Sequence, residues 1–165
     1  MLRELPGRLL KPLGALALLV VILVLAALAA NHPPLLEPPG IATRLATYFT
    51  RNSVETERFS PFPERRPSVY QVPPAHVLEA ALLEVRAQGW EITRLDPEGR
   101  RLEAVARTPV WGFADDVTLR VEGPERGPSR LHLRSASRTG RGDLGANTRR
   151  IIDLRAAIES RLQGG

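Results

Sequence analysis

The chain has 165 residues, a formal net charge of +5 and no cysteine. The missing cysteine excludes disulfides, thiolate metal sites, thiol nucleophiles and the lipid-attachment cysteine of a bacterial lipoprotein. Once an apolar start and a proline-rich stretch are set aside, about 100 residues remain, room for one small domain of modest stability.

The first twelve residues carry Arg3, Arg8 and Lys11 against Glu4, and Leu13–Ala30 then runs apolar without a charge. At ~1.5 Å per residue the run reaches roughly 27 Å, close to the thickness of a bilayer's hydrocarbon core. The positive flank before it predicts a cytoplasmic N-terminus and a translocated remainder. Residues 1–30 therefore read as a single-pass anchor. The alternative is a cleaved signal peptide: Ala27-Leu-Ala29 fits a small-residue cleavage site, although the run exceeds the ~7–15 residues of a signal core.

Residues 31–67 hold Pro33, Pro34, Pro38, Pro39, Pro61, Pro63 and Pro67 and read as a linker, extended for the most part. Inside it, Ile41, Leu45, Tyr48 and Phe49 have helical spacing. That short helix has two possible seats, the bilayer surface, which Tyr48 and Phe49 suit, or the side of the domain.

Residues 68–165 form the domain. Ser68–Val72 is a short strand, and Pro73-Pro74 opens a helix over 75–88 with Leu78, Ala81, Leu82 and Val85 on one face. Trp90–Asp96 and Arg101–Thr108 are strands joined by a Pro97-Glu-Gly-Arg100 turn. After a wide connection carrying Trp111 and Phe113 come two alternating strands, Asp115–Glu122 and Arg130–Arg138. The last helix, over 144–162, aligns Leu144, Ile151, Leu154, Ile158 and Leu162. The order β-α-β-β-β-β-α predicts an α+β two-layer sandwich, an antiparallel sheet with two helices on one face, preceded by one N-terminal transmembrane helix.

The chemistry concentrates where the last strand turns into the last helix. Seven arginines (130, 134, 138, 141, 149, 150 and 155) stand between 130 and 155 against Asp143 and Asp153. Guanidinium forks match carboxylates and phosphates, so the stretch suits internal ion pairs or an anion. A loop over 123–129 pairs positions summing to about 252, so that Leu119 faces Leu133 and Val121 faces Leu131 on one side. Ser135 and Ser137 then continue the core face, with Ser137 opposite Asp115. Arg134 and Arg138 point to the other face with Thr118, Arg120 and His132. Buried serines need partners; Asp115, Asn147 and the first turn of the helix are in reach. Asp143 is placed to cap the helix. The glycine-spaced amides of Thr139–Gly142, beside Arg141, would suit an anion, but Asp143 already serves that helix end. Asp115 and Asp116 face opposite sides and cannot act as an acid–base pair on one substrate. Asp116 has Arg138 or Arg107 to pair with.

No residue spacing suggests zinc, a P-loop, a dinucleotide fingerprint or a nucleophile elbow. No catalytic residue, metal or cofactor is assigned.

Gly112-Phe-Ala-Asp-Asp-Val117 and the run from Arg134 through Asn147 to Ile151 resemble the DUF1499 family, a domain family of unknown function. The likeness covers roughly 68–162, and Pro61-Phe-Pro-Glu64 and Tyr70 share it. Thr139 stands where an aliphatic residue is expected. The resemblance implies a bacterial envelope protein, without the lipobox cysteine, and supplies no activity. The expectation is a non-enzymatic domain in the periplasm, tethered to the bacterial inner membrane, that binds an envelope partner or anionic ligand through Asp115, Asp116, Arg134, Ser135, Ser137, Arg138, Arg141, Asp143 and Asn147. The alternative is an envelope enzyme with a small pocket at Asp115, Ser137 and Asn147, near Trp111 and Phe113. Nucleic acid suits the charge but conflicts with the topology.

Overall fold

The computed structural model describes residues 7–108 and 112–164. Trp111, part of the expected wide connection, lies outside the described residues.

Helix α1, Gly7–Asn31, is unburied along its apolar part, Lys11–Asn31. It is long and apolar enough to cross a membrane, a property that a signal sequence shares.

Residues 31–67, expected as a linker, instead fold onto the domain. They supply helix α2 (Ile41–Thr50), strand β1 (Ser53–Glu55) and a single 3₁₀ turn (Pro63–Arg65). Prolines forbid a long helix but not a chain of short elements held by side chains. One side chain does most of the holding. Arg44 is wholly buried. Its Nε donates to the carbonyl of Glu37, its Nη2 to the carbonyl of Pro38, and its two Nη groups to the Glu64 carboxylate at 2.7 and 2.9 Å. The fifth N–H goes to the Tyr48 hydroxyl at 3.0 Å. All five guanidinium donors are thus satisfied. Burial by itself would lower the Arg44 pKa, but the bonds to Glu64 and Tyr48 hold it above the ordinary value. Phe62 packs beneath Arg44 and Arg65, whose guanidinium carbons lie 5.2 and 4.1 Å from the ring centre. Arg155 then ties this layer to the last helix by donating to the carbonyls of Glu64 and Arg66.

Strand β2 (Ser68–Tyr70) leads into helix α3 (Pro74–Ala87), and strands β3 (Glu91–Asp96), β4 (Arg101–Arg107), β5 (Ala114–Glu122) and β6 (Ser129–Ser137) follow, closed by helix α4 (Ala146–Gly164). The six strands make one antiparallel sheet in the order β1-β6-β5-β4-β3, with β2 also paired to β6. The α+β class holds, with one more strand than the sequence suggested because β1 comes from the supposed linker. β1 and β2 share the outer edge of β6, facing residues 134–136 and 129–131 respectively. The β5–β6 register is the expected one: Asp115 faces Ser137, Leu119 faces Leu133 and Val121 faces Leu131.

The core lies between the inner sheet face and the two covering helices. Leu102, Ala104, Ala106, Val117, Leu119, Val121, Leu131 and Leu133 meet Val77, Leu78, Ala81 and Val85 of α3 and Ile151, Leu154 and Ile158 of α4. Trp90 is partly buried against this core. Helix α4 begins two residues later than its apolar stripe suggests. Leu144 takes a left-handed conformation (φ 49°), outside the helix, and the first helical residue is Ala146.

Candidate functional site

Strand β6 carries the candidate residues alternately to its two faces, because successive strand side chains point opposite ways. On the core face Ser135 and Ser137 meet the first turn of α4. The Ser135 hydroxyl donates to Asn147 Oδ1 at 2.6 Å, and Asn147 Nδ2 donates to Ser137 Oγ and to the Asn52 carbonyl, each at 2.9 Å. Arg150, one turn further along α4, donates to Ser135 Oγ at 2.9 Å, to Asn147 Oδ1 at 2.6 Å, and to Asp115. Asn147 therefore uses both donors and both acceptor positions within the protein. Asp115 is spent on Arg150 rather than on Ser137. The three groups of the enzymatic alternative are brought together, but Asn147 and Asp115 are engaged by Arg150, and Ser137 Oγ accepts from the Asn147 amide. Phe113, expected near that pocket, is half exposed.

The loop that follows is a bracket for the chain's own earlier segment. Asp143 caps α4, accepting from the amides of Gly145 and Asn147 at 2.9 and 3.0 Å. The amides of Asp143 and Leu144 both donate to the Tyr48 carbonyl at 3.1 Å. Asn52 Nδ2 donates to the carbonyls of Ser137 and Gly140 at 3.2 and 2.7 Å. Asn31, at the end of α1, donates to the Leu144 carbonyl at 3.1 Å. Two glycines make this closeness possible. A Cβ on Gly142 would stand 2.6 Å from the Tyr48 carbonyl oxygen, and one on Gly145 would stand 2.6 Å from Pro33 Cβ. The glycine-spaced corner thus receives residues 31–52, and its helix end is already occupied by Asp143.

The other face of β6 is open. Arg138 grips Asp116 with Nε and Nη2 at 3.0 and 2.7 Å, and this hydrogen bonding holds the Asp116 carboxyl below the usual carboxylate range. Arg134 lies 3.8 Å from Glu55, too far for a hydrogen bond. Arg141 is exposed. Next to Arg134, the register sets Arg101, Arg120 and His132 side by side across three adjacent strands. Arg101 and Arg120, directly opposite one another, are like charges and oppose pairing. Each of the three residues has a carboxylate neighbour, with Arg101 on Glu103 at 2.8 Å, Arg120 on Glu122 at 2.7 Å and His132 on Glu122 at 3.2 Å. Arg101, Arg120, His132 and Arg134, with Thr118 and Glu55, line a shallow hollow of about 340 Å³.

A family model described as a protein of unknown function, DUF1499, matches residues 38–158. The chain belongs to the DUF1499 family. The match begins well before residue 68, so α2, β1 and the Arg44–Glu64 pair lie within the DUF1499 region, not outside it. No curated protein matches the chain.

Of the DUF1499 corner residues singled out from the sequence, Asp115, Ser135, Ser137, Asp143 and Asn147 meet in the closed half. Asp116, Arg134 and Arg138 lie on the open half, and Arg141 is in the bracket loop. Four residues that organise the corner were not among them: Arg44, Asn52, Glu64 and Arg150. Two had a usable signal. Arg150 follows Asn147 at helical i, i+3 spacing, and Arg44 precedes Tyr48 at i, i+4.

Proposed function

We propose that this DUF1499 protein is a non-enzymatic binding domain tethered to the bacterial inner membrane, facing the periplasm, and that it engages an anionic ligand or the acidic surface of an envelope partner through the outer face of its sheet. The observation that carries the reading is the row Arg101–Arg120–His132 with Arg134 beside it around one hollow. Keeping Arg101 and Arg120 directly opposite one another works against sheet pairing, and an incoming anion would relieve that repulsion. The guanidinium forks have donors left over beyond their single carboxylate neighbours. The positive flank before α1 supports the orientation.

The test is calorimetric titration of the full chain in nanodiscs with inorganic tripolyphosphate at low ionic strength. Binding is expected, weakening as salt rises, and lost in Arg120→Glu/Arg134→Glu with the melting temperature retained. Ser137→Ala, on the closed side, should bind as the parent does. No heat from the parent, or equal binding by the double variant, would contradict the proposal.

A further inference from the structure

Helix α2 has three distinct faces. Arg44 and Tyr48 turn inward and are 0% and 1% exposed. Thr43, Thr47 and Thr50 lie roughly opposite the third face, on which Ile41, Leu45 and Phe49 recur at intervals of four. Ile41 and Phe49 remain 50% and 47% exposed, and Leu36, just upstream, is 89% exposed. Leu45, between Ile41 and Phe49, is half-buried, and the side of this ten-residue helix that turns inward is the one carrying Arg44 and Tyr48, so the apolar stripe keeps Ile41 and Phe49 uncovered.

Its position points to an occupant. Asn31, the last residue of α1, is bonded to the Leu144 carbonyl, and Pro33 is buried against Gly145. The Tyr48 carbonyl, in the last turn of α2, accepts from the amides of Asp143 and Leu144. The end of the apolar helix and the end of α2 are therefore fastened to the same three residues, 143–145. Two exposed cations flank this place, Arg51 directly after α2 and Arg141 in the bracket loop, drawn together by the hydrogen bond from Asn52 to the Gly140 carbonyl. An apolar stripe with cations beside it is the pattern of a helix lying in the headgroup region of a bilayer.

We infer that α2 lies in the interface of the bilayer that α1 crosses, with Ile41, Leu45 and Phe49 among the upper acyl chains and Arg51 and Arg141 on lipid phosphates. The inference rests on α1 being a retained membrane span. It makes the membrane surface a fixed wall of the domain, with α2 as its footing.

The chain lacks cysteine, so single-cysteine variants take one spin label each. Ile41→Cys, Thr43→Cys, Phe49→Cys and Val20→Cys of the full chain are labelled and reconstituted in phosphatidylcholine–phosphatidylglycerol vesicles. Collisions with oxygen, which partitions into lipid, are compared with collisions with a water-soluble nickel chelate. Labels at 41 and 49 should show an oxygen-to-chelate ratio several-fold above that at 43, and Val20 should show the highest. Val20 in lipid with 41 and 49 as wet as 43 would overturn the α2 inference alone. Val20 in water would overturn the span and the inference with it. Labels at 41 and 49 shielded from both reagents would mean a protein neighbour and would also overturn it. Should the Phe49 label abolish cooperative melting, the Ile41 label decides by the same comparison.

Discussion

The two faces of β6 come from one run of nine residues yet end in opposite conditions. Ser135 and Ser137 are locked by Asn147, Arg150 and Asp115 into a network with no spare donor or acceptor on Asn147. Arg134, one residue away from Ser135, stays in water with a carboxylate only at 3.8 Å. Polar content is therefore a poor guide to a binding site. The half richest in hydroxyls and amides is the frame, and the half that resembles an ordinary charged surface is the one left in water.

The contrast breaks most severely if the buried charges of the frame are removed. Arg44→Ala leaves Glu64 nearly buried without its partner and should cost about 3–5 kcal/mol, read by urea denaturation of the full chain in detergent. Proteolysis should then begin within 37–66. Asp115→Ala strands Arg150 in the same way and should cost about 3 kcal/mol. Smaller is Asn147→Ala, which removes no charge but leaves Ser135 and Ser137 short of partners, at about 1–3 kcal/mol. On the outer face, Asp116→Asn should leave the melting temperature almost unchanged, because that pair is exposed.

Acidity and alkalinity separate the two halves again. The Asp116 carboxyl is held low by Arg138, so its small stabilising contribution is complete above pH ~4 and fades as the pH falls below that range. The tyrosines behave the other way. Burial pushes Tyr48 up, and Tyr70 up to about 12. Their neutral forms favour the folded state, so their contribution is full below pH ~10 and is lost as the pH rises further. An absorbance titration of the folded chain should show neither phenol ionising near pH ~10, and the layer formed by residues 37–66 should loosen when Tyr48 does.

Much of the sheet was legible because alternation in β5 and β6 admits one register that puts every leucine and valine on one side. The capping role of Asp143 was legible from its place before the helix. The bracket was not. Its main contact runs from the backbone carbonyl of Tyr48 to the loop amides of Asp143 and Leu144, more than ninety residues later, and backbone groups leave no mark in side-chain pattern. The proline count between 31 and 67 spoke for a tether, whereas the deciding feature was a single arginine whose five donors find partners in three separate segments. The late start of α4 was hidden for a similar reason. Leu144 fits the apolar stripe, but the cap at Asp143 and the bond from its amide to Tyr48 hold it in a left-handed turn.

The corner and the edge of β6 together hold the chain's own residues 31–56 as part of the folded domain. Amide hydrogen exchange of the full chain in nanodiscs, resolved by segment, tests this most directly. Residues 44–56 and the amides of Asp143 and Leu144 should be protected to the level of β6 and lose that protection together in Arg44→Ala. Exchange across 44–56 at the rate of an unstructured peptide, while β5 and β6 stay protected, would contradict it.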